Sequence, residues 1–95
     1  MNLKDLWMLY EADKRILGFS LHTLKAYSLQ LEMLVLELGD LELEEISLTI
    51  LKDYLARVSE KLKPSSLGHR IRFVRSLFRF AFEEGHLTRN PSIKL

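Results

Sequence analysis

The residues of this sequence that could perform chemistry are not spaced as a catalytic centre requires. His22, His69 and His86 lie far apart, and none has a second His or a Glu four residues away, as a zinc site on one helical face requires. The carboxylates gather instead as chain neighbours, within 42–45 and 83–84, which is typical of a solvated acidic surface. The sequence therefore predicts no catalytic residue, no metal site and no cofactor.

Tyrosine nucleophiles and a phosphate-binding glycine loop have no better support. Tyr10, Tyr27 and Tyr54 each fall on an apolar helical stripe, and we interpret them as core residues. The four glycines stand singly rather than in a glycine-rich loop. We predict that this chain is not itself an enzyme.

The chemistry that the sequence does favour is electrostatic, because charge is sorted along the chain. Residues 1–60 carry six Lys and Arg against eleven Asp and Glu, whereas residues 61–95 carry eight against two. The formal net charge of +1 conceals this division. A basic segment at one end of a small domain can present a positive surface to nucleic acid, although an ordinary solvated helix face would give the same counts.

Composition restricts the class of protein. The 95 residues, 47% hydrophobic and 28% charged, suit one small globular domain. The absence of cysteine excludes disulfides and thiolate sites and suits a reducing compartment. No apolar run approaches the ~20 residues that cross a bilayer, and acidic residues interrupt the N-terminal stretch where a signal peptide would stand. We predict a cytoplasmic protein with no membrane partner.

Helical spacing of apolar residues predicts the elements that must position these charges. The predicted helices cover about 2–17, 21–38, 48–62 and 65–84. Trp7 and Val35 lie on the apolar stripes of the first two helices and are expected to be buried. No segment is interpreted as a strand, and the fold class predicted is an all-α, compact four-helix bundle.

Cap residues mark the ends of these helices. Ser20 and Ser47 are expected to cap the second and third helices, and either Ser65 or Ser66 the fourth. Gly85 is expected to terminate the fourth helix. Between the second and third helices, residues 41–46 alternate apolar and acidic side chains, which we interpret as an extended connection.

The chain is expected to divide near its C-terminus. Asn90-Pro91 stops any helix and is typical of the start of a linker. We therefore predict a domain at 1–88 and the beginning of a linker at 89–95.

The fourth helix carries the most informative pattern. On a helical wheel, Arg72, Arg75 and Arg79 form one stripe beside the apolar face, and Ser65 and His69 continue this polar edge. The edge could contact the phosphates of a nucleic acid along the length of the helix.

Two helix starts add polar groups of the same kind. Lys63, Ser65 and Ser66 surround the start of the fourth helix, whose free N–H groups and positive dipole suit phosphate. Thr23 and Lys25 stand at the start of the second helix, where a plain N-cap with ordinary surface residues is the alternative explanation.

Gly68 is unexpected near the start of a helix, because glycine costs about 1 kcal/mol there relative to alanine. Close packing against another helix would explain it, and so would close approach of a DNA strand.

Four short motifs stand in a characteristic order over about residues 3–93. Their residues are Ser20, Thr23 and Tyr27; Leu43, Glu44, Glu45, Ile46 and Ser47, with Tyr54-Leu55 following; Ser65, Ser66, Val74, Arg75, Leu77, Phe78 and Phe80; and Gly85, Leu87, Asn90 and Pro91. Together they resemble the N-terminal core-binding domain of tyrosine recombinases and phage integrases, a SAM-like helical bundle. Gly68 stands where a polar residue is frequent in that family, and Leu77 replaces an aromatic residue.

The resemblance implies duplex DNA as the partner and a role in site-specific integration or recombination. In such proteins this domain and a catalytic domain clamp the recombination site, and the nucleophile belongs to the catalytic domain, which we expect to be absent from this chain. The parent protein is expected to be bacterial or phage-derived and to oligomerise on DNA, and the fragment to be monomeric. The implied DNA-contact residues are Thr23, Lys25, Lys63, Ser65, Ser66, His69, Arg72, Arg75 and Arg79, of which Arg75 could instead be partly buried and structural.

Two other classes of function remain open on the residues alone. A protein-interaction bundle in the manner of SAM or death domains would account for four helices and an acidic half, but not for the arginine stripe. A small helical enzyme would require a site that the residue spacing does not provide.

Overall fold

The protein, described by a computed structural model over residues 1–95, is all-α. Its four helices are α1 (Leu3–Ile16), α2 (Leu21–Leu38), α3 (Leu48–Ser59) and α4 (Pro64–Glu83), and a short 3₁₀ turn covers Leu43–Glu45. The prediction of an all-α chain with four helices is confirmed. None of these helices combines the length and the apolar character that crossing a membrane demands.

The chain divides into two compact units, Met1–Leu43 and Glu44–Leu95. In the first unit α1 packs against α2. The side chains withdrawn from water there are Leu3, Leu6 and Tyr10 of α1, Leu24, Leu31 and Leu34 of α2, and Leu43. Their spacing of three and four residues along each helix explains why both segments are helical and which face they bury.

Polar contacts at the N-terminus close the first unit. Asn2 and Asp5 form a capping box at the start of α1. The Asn2 side chain also donates to Asp40 over 2.8 Å, and the Leu43 N–H donates to the Met1 carbonyl over 2.9 Å. These contacts hold the segment after α2 against the start of the chain.

The connection between α2 and α3 corrects part of the prediction for residues 41–46. Glu42 makes an isolated β-bridge with Asn2, but Leu43–Glu45 turn in a 3₁₀ helix instead of remaining extended. The turn places Leu43 and Ile46 in buried positions while Glu44 and Glu45 stay exposed. Leu43 and Ile46 are three residues apart, so they lie on one side of a 3₁₀ turn, whereas in a strand they would point to opposite faces.

An aromatic cluster fills the corner between α1 and α2. Tyr10 stacks on Trp7, with ring centroids 5.6 Å apart, and Tyr27 lies between Tyr10 and Phe19 at 6.4 Å from each. The Lys14 ammonium lies 5.1 Å from the centroid of Tyr10 and 5.8 Å from that of Phe19. Aromatic contacts and cation–π contacts of half-buried Lys14 therefore stabilise the corner in addition to the burial of apolar surface.

In the second unit α3 packs against α4. The buried side chains are Leu51, Tyr54 and Leu55 of α3 and Phe73, Val74, Leu77, Phe78, Phe80 and Ala81 of α4, with Ile46. α3 ends at Ser59, three residues before the predicted end, and Lys61 and Leu62 turn back onto the Val58 carbonyl. Pro64 favours an extended conformation of the preceding Lys63, and this residue separates the turn after α3 from α4.

The segment after α4 folds back on the same unit. Gly85 has a φ of +80°, and the His86 N–H donates to the Ala81 carbonyl over 2.8 Å, which ends the helix as predicted. Asn90 accepts hydrogen bonds from the Ser92 N–H and hydroxyl at 2.9 and 2.7 Å, and Ser92 is buried. The beginning of a linker at 89–95 stays a prediction, but residues 90–92 are ordered by these bonds.

Gly68 does not owe its place to close helix packing, which corrects one explanation for it. A β-carbon built at Gly68 meets no atom within 4 Å. The backbone there is helical and free of positive φ, unlike that of Gly18, whose φ is +88°. Nothing inside the fold therefore requires glycine at position 68.

We expect Gly68→Ala to raise the free energy of unfolding by about 1 kcal/mol, because alanine restricts the unfolded chain and suits a helix. The matched change Gly18→Ala should lower it by about 1 kcal/mol, because the left-handed conformation strains any side chain. Urea unfolding followed by circular dichroism measures both. Equal effects of the two substitutions would contradict this account.

Candidate nucleic-acid interface

One edge of α4 is basic and faces solvent. Arg72, Arg75 and Arg79 are all exposed, while Phe73, Leu77 and Phe80 on the other side of the helix are buried. Because the apolar residues anchor the helix from one side, the three arginines project together from the opposite side. The predicted stripe is therefore present as a continuous surface feature; its role in binding stays a prediction.

The internal partners of these arginines are few and weak. Arg79 lies 3.7 Å from Glu83 one turn later, in an exposed pair of the kind that contributes little to stability. Arg75 donates to the Leu95 carbonyl over a long 3.4 Å. Arg72 takes part in no ion pair. All three guanidinium groups can accordingly meet an external anion at small cost.

The start of α4 differs from its prediction. Neither Ser65 nor Ser66 caps the helix: Lys63 occupies the cap position without a side-chain hydrogen bond, and Pro64 is the first helical residue. Proline is favoured there because its φ suits the first turn and its missing N–H would have had no partner. The two serines lie within the first turn, Ser65 exposed and Ser66 half-buried.

The first turn of α4 carries positive potential with no internal anion to offset it. It contains no acidic residue, and no side chain accepts from its free N–H groups. The amide groups and the helix dipole favour an anion at this point. Exposed Lys63 and Ser65 flank it, and exposed His69 follows one turn along the same edge.

The structure thus brings seven of the nine predicted contact residues together on α4 and its cap. The seven residues are Lys63, Ser65, Ser66, His69, Arg72, Arg75 and Arg79. Gly68 lies on the same edge, one turn before Arg72, and a β-carbon there would meet open space.

The remaining two predicted residues, Thr23 and Lys25, belong to the first unit. Ser20 caps α2 by accepting from the Thr23 N–H over 3.1 Å, and its hydroxyl donates to that of Thr23 over 3.0 Å. Thr23 is half-buried and engaged in this cap, whereas Lys25 is exposed. The cap explains the local hydrogen bonds of Thr23, and the DNA contacts expected of Thr23 and Lys25 stay predictions.

Arg70 is a basic residue of α4 that the sequence reasoning passed over. It points to the inner side of the helix, where its guanidinium donates to the hydroxyl of buried Tyr54 over 2.8 Å. Arg70 precedes buried Phe73 by three residues and Leu77 by seven, so it lies on their face of the helix. This spacing distinguishes it from the outer arginines. Arg70 joins α3 to α4.

The ionisable groups form no metal centre. No group of three or more His, Cys, Asp or Glu side chains is arranged to hold an ion.

Comparison with known proteins identifies the family. Residues 14–85 match the family described as phage integrase, N-terminal SAM-like domain. The chain belongs to this family. The recognition made from the four motifs is confirmed, and so is the SAM-like fold class.

Individual relatives agree with this assignment. Tyrosine recombinase XerC of Pelobacter propionicus is 32% identical over 80 residues, which are 79% of this chain and 26% of the relative. Two crystal structures of lambda integrase dimers bound to a COC′ core site superpose with TM-scores of 0.84 and 0.83, at 26% and 25% identity. Each covers 97% of this chain, but the chain spans only 34% and 26% of those proteins.

The reassigned cap of α4 leads to a prediction on stability. Ser65→Ala should change the free energy of unfolding by less than about 0.5 kcal/mol, because that hydroxyl caps nothing. Ser47→Ala should lower it by about 1 kcal/mol, because the Ser47 hydroxyl accepts from the Ile50 N–H at the start of α3. Thermal unfolding compares the two. A loss with Ser65→Ala as large as with Ser47→Ala would restore Ser65 as the cap.

Proposed function

We propose that this chain binds duplex DNA, without catalysis of its own, as the N-terminal domain of a site-specific tyrosine recombinase or integrase. The observation that carries the proposal is the solvent-facing edge of α4, on which three arginines stand clear of the packed face. Membership of the phage integrase family supports it, since the lambda integrases of similar fold are bound to a DNA core site.

The length and charge of α4 suit a DNA backbone. A helix of 20 residues extends roughly 30 Å, long enough to lie against a groove and reach phosphates on both sides. Arg72, Arg75 and Arg79 would neutralise phosphates and set the position of the domain, and release of counterions would make the affinity depend on salt.

The first turn of α4 would hold one phosphate at a defined place. Its free N–H groups, with Lys63 and the hydroxyls of Ser65 and Ser66, offer donors and positive potential together. His69 is exposed between this turn and Arg72 and would contact a base edge or a further phosphate. Lys25, next to Thr23 at the start of α2, would add a lesser contact from the first unit.

The proposal explains why glycine stands at position 68, which packing inside the fold does not. It lies on the basic edge, and its bare backbone would let a DNA strand approach where a methyl group would intervene. Gly68→Ala is therefore expected to weaken DNA binding while it stabilises the free protein. These opposite signs separate the DNA explanation from a purely structural one.

The remaining partners follow from the same proposal. The chain spans about a quarter of the XerC relative, so we propose that strand cleavage belongs to a catalytic domain of the parent protein. That parent would oligomerise on DNA and act in the cytoplasm. The DNA-binding step needs no cofactor.

Removing two arginines tests the proposal directly. Arg72→Ala with Arg79→Ala should weaken binding of duplex DNA and flatten the dependence of log K on log salt by about 1 to 2 units, because each lost phosphate contact removes ~0.9. The wild-type chain is expected to bind with a dissociation constant of about 10⁻⁴ to 10⁻⁶ M. Fluorescence anisotropy of a labelled duplex at several salt concentrations measures both quantities.

The matched control is Arg57→Ala. Arg57 is an exposed arginine of α3 that lies 3.4 Å from Asp53 one turn earlier, much as Arg79 lies near Glu83. Its loss should leave affinity and salt slope nearly unchanged. An equal effect from Arg57→Ala, or no effect from the double substitution, would remove the α4 edge from the mechanism.

Amide NMR distinguishes DNA binding from the protein-interaction alternative. We expect shifts on addition of duplex DNA to cluster at 23–25 and 63–79 and to weaken as salt rises. Shifts confined to the acidic 37–45 region, or none at low salt, would contradict DNA binding by this surface.

A further inference from the structure

An apolar groove lies on the surface of the first unit between α1 and α2, and the proposed DNA contacts do not use it. The groove is open to solvent and has a volume of about 420 Å³. Its apolar walls are Trp7 and Met8 from α1 and Val35 and Leu36 from α2. Trp7 and Val35 were expected in the core, but both are only half-buried, because they border this groove.

Large apolar side chains on the groove walls remain exposed to water in the folded chain. Met8 is 73% exposed and Leu36 is 83% exposed, and both line the groove together with half-buried Trp7. Contiguous apolar surface around an aromatic ring and a methionine is typical of the centre of a protein interface.

Two charges on the groove show what kind of partner fits. Lys4 stands on the α1 wall and Glu32 on the α2 wall, and neither has an ion-pair partner within the chain. Opposite charges on opposite walls make the surface complementary to itself. In a two-fold dimer the contact between residues i and j occurs twice, so both copies of each charge are paired at once.

We propose that the groove is a self-association surface, on which a second copy of this chain docks about a two-fold axis. The apolar walls of the two copies pack together, and Lys4 of each copy lies beside Glu32 of the other. This goes beyond the proposed function, since it requires no DNA and no residue of α4. Contact through one open groove is expected to give a weak dimer, so a chain that is monomeric when dilute associates at high concentration.

The single tryptophan of the sequence makes the association visible. Sedimentation equilibrium without DNA, from about 1 µM to 1 mM, should show a monomer–dimer equilibrium. Trp7 emission should move to shorter wavelength over the same range, because the second copy removes water from the ring. A monomer at every concentration with unchanged Trp7 emission would overturn the proposal and leave the groove to another protein.

A matched pair of exposed apolar residues tests the location. Leu36→Gln should weaken the dimer by about tenfold or more, whereas Ile16→Gln should not weaken it. Ile16 is 84% exposed, nearly the same as Leu36, but does not line the groove. Equal weakening by both variants would show non-specific association and overturn the proposal.

Charge reversal tests the two-fold pairing. Lys4→Glu and Glu32→Lys should each weaken the dimer severalfold, because each leaves two like charges facing one another. The double variant should restore the dissociation constant to within about twofold of the unaltered chain. Lys52→Glu, an exposed charge reversal on α3, is the control and should change nothing. Additive weakening in the double variant would exclude the Lys4–Glu32 contact, and unchanged melting curves would show that every variant is folded.

Discussion

The burial of one side of α4 is the constraint on which the second unit depends. Phe73, Leu77 and Phe78 lie fully out of water, and each rotation of the helix about its axis would bring one of these large side chains back to the surface. At about 25 cal/mol per Å² of apolar area, that exposure costs more than any surface ion pair returns. The outward direction of Arg72, Arg75 and Arg79 is thus a consequence of apolar packing and not of contacts made by the arginines themselves.

Arg70 and Arg72 are only two residues apart on α4, but the rotation of the helix gives them different surroundings. Arg70 lies on the inner side, where its guanidinium donates to the Tyr54 hydroxyl, because a half-buried guanidinium without hydrogen-bond partners is costly. Arg72, two residues later, lies in water with no ion pair. The exposed arginines of α4 can therefore pair with a polyanion without loss of any contact between α3 and α4.

The two units place different chemistry on their surfaces. The first unit is acidic, is held by an aromatic corner around Lys14, and presents an apolar groove. The second is basic along α4 and begins that helix with proline in place of a side-chain cap. In the functions proposed above, the basic edge of α4 would contact duplex DNA and the apolar groove a second copy of the chain, so the two surfaces differ in charge and polarity as their proposed partners do.

Local sequence patterns were enough to predict the number and class of the elements, most of their ends and the family. The bounds of α2, the caps at Ser20 and Ser47 and the stop at Gly85 depend on local backbone chemistry, which nearby residues specify. The family motifs are likewise local patterns at fixed spacing. The serine pattern misplaced the cap of α4, because Ser65 and Ser66 are common cap residues, whereas Pro64 favours the first helical position and holds Lys63 extended before it.

The burial of individual apolar residues, and the direction of individual side chains, depend on packing between helices and could not be read from the sequence. α4 is apolar over a wide arc, so its pattern could not show that Phe73 and Leu77 are buried while Phe82 is exposed, nor that Arg70 turns inward. Trp7 and Val35 belong to regular apolar stripes and still border an open groove, because no side chain of the first unit covers them completely. Periodicity predicts which face of a helix is apolar. The rotation of the helix in the fold, and how far its neighbours bury that face, depend on packing between elements.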